Sequence, residues 1–89
     1  MAYGYPSVLK DPRVQSSIRR IRAMGLAVDI REIDEDNVII VIGVDSIVNY
    51  IIRKIDQSIT WQKKSIKYLK DKNILRIYIW RGEGINELK

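Results

Sequence analysis

The stretch KKSIKYLKDKNILRIYIW, residues 63–80, holds two runs of alternating side chains around a short polar break. With a period of two, Leu75, Ile77 and Ile79 fall on one side of the second run. Ile74, Arg76, Tyr78 and Trp80 fall on the other. Closing a turn at Lys70-Asp71-Lys72-Asn73 pairs Leu69 with Ile74, Lys67 with Arg76, Ser65 with Tyr78 and Lys63 with Trp80. On the reverse side Tyr68 then meets Leu75, Ile66 meets Ile77 and Lys64 meets Ile79. A slip of one residue would mix the two faces, so the pattern itself selects this register. One face (Ile66, Tyr68, Leu75, Ile77, Ile79) reads as core. The other carries cations and aromatics.

A helix over roughly 46–59 precedes this hairpin, capped by Asp45 or Ser46. Its Ile47, Val48, Ile51, Ile52, Ile55 and Ile59 span an arc of about 140°. Further back, VIIVIGV (38–44) is apolar on both sides, as expected of a central strand covered on both faces or of one that forms an interface. Val28, Ile30 and Glu32 alternate with Asp29, Arg31 and Ile33 as a half-exposed partner strand, and the DEDN cluster at 34–37 supplies turn residues. A three-residue loop there aligns Val28 and Ile30 with Ile42 and Ile40. Asp11-Pro12 opens a first helix over about 12–24, with Val14, Ser17, Ile18, Ile21 and Met24 at helical spacing and Gly25 as its stop.

The order is helix, hairpin, helix, hairpin. It predicts an α+β domain over residues 11–81: a mainly antiparallel four-stranded sheet from two hairpins with two helices on one face. Residues 1–10 read as an N-terminal arm. A strand over 3–9 would make the fold ferredoxin-like with an added edge strand. GEGINELK (82–89) reads as a flexible C-terminal tail.

Eighty-nine residues, 46% hydrophobic and 30% charged, suit a single small globular domain. There are seventeen isoleucines and no phenylalanine, cysteine or histidine. The chain therefore has no disulfide, thiolate nucleophile or Cys/His metal site, and no near-neutral imidazole base. Abundant Ile, Lys, Arg and Glu without Cys points to a hyperthermophile source, archaeal or from an archaeal virus or plasmid. No run approaches the roughly 18 apolar residues of a membrane span, and MAYGYPSVLK lacks secretion-signal features. The expectation is a cytoplasmic protein that does not bind membranes.

The net charge of +5 is localised. Residues 1–56 carry eight basic and eight acidic side chains, whereas 63–81 carry seven basic ones against Asp71 alone. That surplus favours a polyanion. Catalysis finds little support: there is no G-x-S-x-G, phosphate-loop or dinucleotide pattern, and no cofactor is implied. The acidic group Glu32, Asp34, Glu35 and Asp36 reads as a solvated turn, and Arg19, Arg20 and Arg22 as a solvated helix face.

Lys63, Lys67, Arg76 and Arg81 beside Trp61, Tyr78 and Trp80 form the sharper constellation. Flat aromatics on a sheet stack on bases while neighbouring cations neutralise phosphates. The expected ligand is DNA or RNA, single-stranded or bound without sequence preference. Ile39, Val41, Leu69 and Ile74 would form a homodimer interface on the same side. The alternative is a non-catalytic accessory subunit docking that face on a larger, acidic protein partner, as in a replication or transcription assembly.

Overall fold

Asp11 and Pro12 start the first helix in the computed structural model, which describes residues 5–45 and 48–89. Pro12 needs no intrahelical donor, and the Asp11 carboxylate accepts the Arg13 backbone amide at 2.9 Å. Helix α1 (Pro12–Ala23) buries Val14, Ser17, Ile18 and Ile21 and ends at Gly25, whose φ of +81° glycine adopts without a Cβ penalty. Strands β1 (Val28–Asp34) and β2 (Asn37–Gly43) form the first hairpin. Helix α2 (Val48–Ser58) leads to β3 (Lys64–Leu69) and β4 (Ile74–Trp80). The predicted Asp45 or Ser46 cap cannot be assigned between the two, because residues 46 and 47 lie outside the described ones.

The sheet has the order β1-β2-β4-β3 and is antiparallel throughout. The second hairpin adopts the register expected from face separation, with Leu69 paired to Ile74 and Ile66 to Ile77. The first pairs Val28 with Ile42 and Ile30 with Ile40 as expected, but through a register shift between Glu32 and Asp34 and an Asp34–Asn37 pair rather than a three-residue loop. At the β3–β4 turn Asn73 takes the left-handed conformation (φ +53°) that asparagine tolerates. Val38, Ile40, Ile42, Leu75, Ile77 and Ile79 are buried in one cluster with Val14, Ile18, Ile21 and Ile55 of the helices. Both helices thus cover the same sheet face, and among the described residues the other face has no helix.

The two αββ units repeat. Moved 37 positions along the chain, β2 (Asn37–Gly43) falls on β4 (Ile74–Trp80), and Ile40 pairs with its own counterpart, Ile77. An approximate twofold axis therefore passes through that pair. The helix-facing residues of the two central strands are alike under this relation, whereas on the open face Ile39, Val41 and Gly43 correspond to Arg76, Tyr78 and Trp80.

Several expectations need correction. Among residues 5–10 there is no edge strand: Val8–Lys10 form a 3-10 turn, and Val8 is buried in the core with its amide bonded to the Glu35 carbonyl at 2.7 Å. Pro6 has no N–H to give a ladder, and the turn closes directly into the Asp11 cap. Residues 3 and 4, also within that expected strand, lie outside the described ones. Tyr68 has core-face parity but is 37% exposed, because β3 is an edge strand. Lys64, on that same face, reaches the C-terminal end of α2 instead. Its ammonium donates to the Asp56 carbonyl at 2.9 Å and the Ile59 carbonyl at 2.8 Å, and pairs with the Asp56 carboxylate at 3.1 Å. A cation there complements the helix dipole and the orphan carbonyls. Finally, β2 is fully covered only toward the helices, since Ile39 and Val41 opposite them are half-buried and Gly43 is exposed.

Candidate nucleic-acid interface

Alternation along four paired strands sets the open face out in rows. One row runs Asp29, Val41, Arg76, Lys67 across β1, β2, β4 and β3; the next runs Arg31, Ile39, Tyr78, Ser65. Gly43, Ile74 and Leu69 form a third. Lys67 and Arg76 are therefore direct cross-strand neighbours of like charge. Neither side chain has an ion pair or hydrogen bond with any described residue. Opposed like charges disfavour a strand pair, so an anion between them would relieve the ladder. Leu69, Ile74, Val41 and Ile39 surround the two cations and are all half-buried. Lys70 and Lys72 extend the positive charge into the β3–β4 turn, both exposed.

The aromatic half of the face is occupied by the chain itself. Tyr78 and Trp80 stack with ring centroids 4.6 Å apart at 19°, yet Tyr78 is only 1% exposed. Residues 82–89, expected as a loose tail, lie over the pair. The Ile85 amide donates to the Tyr78 hydroxyl at 2.7 Å, and that hydroxyl donates to Asn37 Oδ1, itself buried. Gly84 passes so close that an added Cβ would sit 2.6 Å from Trp80 Cδ1 and 2.8 Å from the Tyr78 hydroxyl. Its φ of +72° is a second reason for glycine at that position. Lys63 donates to the Gly82 carbonyl at 2.6 Å, and the Lys89 ammonium lies 5.7 Å from the Trp80 ring centroid.

Two other members of the expected constellation have different partners. Trp61 packs against the core cluster, donates its indole N–H to the Trp80 carbonyl at 2.7 Å, and carries the Arg13 guanidinium 4.6 Å above its ring. Arg81 joins three segments. Its guanidinium donates to Asp36 Oδ1 at 2.6 Å and to the carbonyls of Tyr5 and Pro6 at 3.1 Å each, while its amide donates to the Asp36 carbonyl at 2.9 Å. Of the seven residues proposed for nucleic acid, Lys67, Arg76, Tyr78 and Trp80 share the open face. Lys63 adjoins it through the 82–89 segment, and Trp61 and Arg81 are internal fasteners.

The acidic turn is also structural. Asp34 Oδ1 accepts the Asp36 amide at 2.8 Å and the Asn37 side-chain amide at 2.7 Å, and the Asn37 bond is the main reason the Asp34 carboxyl titrates below its usual value. Among the described residues no cluster of acidic side chains is placed to hold a metal ion, and no helix is long and apolar enough to cross a membrane. Comparison with known proteins gives no match: no family model, curated protein or solved structure is similar to the chain.

Proposed function

We propose that the chain is a non-catalytic nucleic-acid-binding protein that uses the open sheet face. The observation that carries this reading is the Lys67–Arg76 pair: two adjacent cations whose side chains have no partner among the described residues, in the segment that holds the surplus charge. Both would contact backbone phosphates, with Lys70 and Lys72 lengthening the track. Contacts of this kind carry no base information, so binding would be tolerant of sequence and steeply dependent on salt.

Titrating a fluorescently labelled oligonucleotide with the protein at two salt concentrations tests the proposal. Lys67→Glu combined with Arg76→Glu should weaken binding strongly and reduce the salt slope by about 1.4, since each single-strand phosphate contact contributes roughly 0.7. Absence of binding at low salt by the unaltered chain would refute it. A second reading, a homodimer or docking on an acidic protein partner, draws support from the half-buried Ile39, Val41, Leu69 and Ile74 around the cations. Sedimentation at tens of micromolar distinguishes the dimer, which a purely monomeric species rejects.

A further inference from the structure

We infer that residues 82–89 act as a strap that decides which kind of nucleic acid the open face accepts. This rests on the nucleic-acid reading of that face. With the strap in place, the face offers Lys67 and Arg76 to phosphates, but Tyr78 is buried and Gly84 passes against the half-buried Trp80, where a base would stack. Phosphate contacts alone do not tell a single strand from a duplex. With the strap lifted, Tyr78 and Trp80 lie two and four residues along β4 from Arg76, and unpaired bases have a platform.

The strap is built to leave. It contributes no residue to the buried core cluster. Its hold on the sheet includes the Lys63 bond to the Gly82 carbonyl, the Ile85 amide on the Tyr78 hydroxyl, the close passage of Gly84 over the rings, and the exposed Lys89 ammonium over the Trp80 ring. A segment with so few buried contacts opens at much lower free energy than the sheet beneath it. Its departure leaves the Tyr78 hydroxyl bonded to Asn37 Oδ1, so the buried phenol is not orphaned. It also returns the Lys63 ammonium to the side where the backbone would run. A base seated on Trp80 would occupy the space that Gly84 now fills.

Gly84→Val tests the inference directly, because the added side chain collides with Trp80 and the Tyr78 hydroxyl while substituting no residue of the binding face. Ile85→Pro is the second variant; it removes the N–H that bonds Tyr78 without touching the sheet. Both are compared with the unaltered chain by fluorescence anisotropy on a labelled fifteen-nucleotide oligo-dT and on a duplex of the same length, with circular dichroism verifying the fold. Oligo-dT binding should tighten by roughly 5- to 150-fold, the worth of one stacked base, while duplex binding stays constant. Equal oligo-dT affinity in all three proteins, or weaker binding in the folded variants, overturns the strap and leaves the phosphate-binding reading intact. If none of the three binds either probe, the nucleic-acid reading itself fails and the strap's role falls with it.

Discussion

Replacing Arg81 with alanine should destabilise the fold without weakening phosphate binding directly. Its guanidinium ties the end of β4 to the first hairpin turn through Asp36 and to the N-terminal segment through the Tyr5 and Pro6 carbonyls. The Asp36 side chain is 53% exposed, so that ion pair is screened and worth about 0.5–1 kcal/mol. Each bond from the guanidinium to a carbonyl contributes about 1 kcal/mol at such partly exposed sites. The sum is roughly 2–3 kcal/mol, and for a domain of this size it lowers the melting temperature by about 8–24 °C. Arg81→Lys keeps the charge but loses the fork, and should fall between wild type and alanine. Urea unfolding followed by tryptophan emission gives the global value. Hydrogen exchange at the Val8 amide, bonded to the Glu35 carbonyl at 2.7 Å, reports locally on docking of the N-terminal segment. A loss below about 0.5 kcal/mol with unchanged Val8 protection would refute the clamp, since it would place Arg81 among solvated surface charges.

Two further outcomes concern the core and the first cap. Ile77→Ala, at the centre of the sheet and fully buried, should cost about 2–5 kcal/mol in urea unfolding, and a smaller loss would mean that the helix layer collapses onto the cavity. Asp11 titrates below its usual value chiefly because the Arg13 side chain bonds its carboxylate at 2.9 and 3.1 Å. A carboxyl with a lowered folded pKa stabilises the fold above its ordinary pKa, and that contribution is lost as pH falls through the lowered value. Urea midpoints taken from pH 5 down to pH 2 should therefore decline less in Asp11→Asn than in the unaltered chain; parallel declines would contradict the assignment.

Alternation made the sheet legible. In the second hairpin only one register separates core from open face, and Ile66–Ile77 is the pair that forms. In the first, β2 is apolar on both sides, so alternation alone leaves Val28–Ile42 one of two options. Asp11-Pro12 marks the start of α1 to the residue because cap chemistry is local. Alternation says which face a side chain joins but not what lies over that face. Tyr78 and Trp80 have the parity of an open platform and are nonetheless covered by GEGINELK, a segment with no long period to announce its position. A faint signal exists there: Ile85 and Leu88 are spaced for one turn, closed by the Leu88 amide on the Ile85 carbonyl at 3.0 Å. Arg81 and Trp61 have the sequence character of binding groups because charge and aromaticity look alike in sequence whether they serve solvent or the fold. Only three-dimensional proximity to Asp36 and Arg13 separates the two uses.

The near-symmetry about Ile40 and Ile77 has a consequence for assembly. The first αββ unit can complete its own hairpin early, but the free side of β2 must wait for β4 from far along the chain. During that interval VIIVIGV presents a β-branched, uncharged ladder edge of the kind that recruits other chains. Its natural partner carries Arg76 in the middle, a charge that discourages β4 from stacking with copies of itself. In the folded protein the second half of the molecule caps that edge with a strand that carries its own gatekeeper.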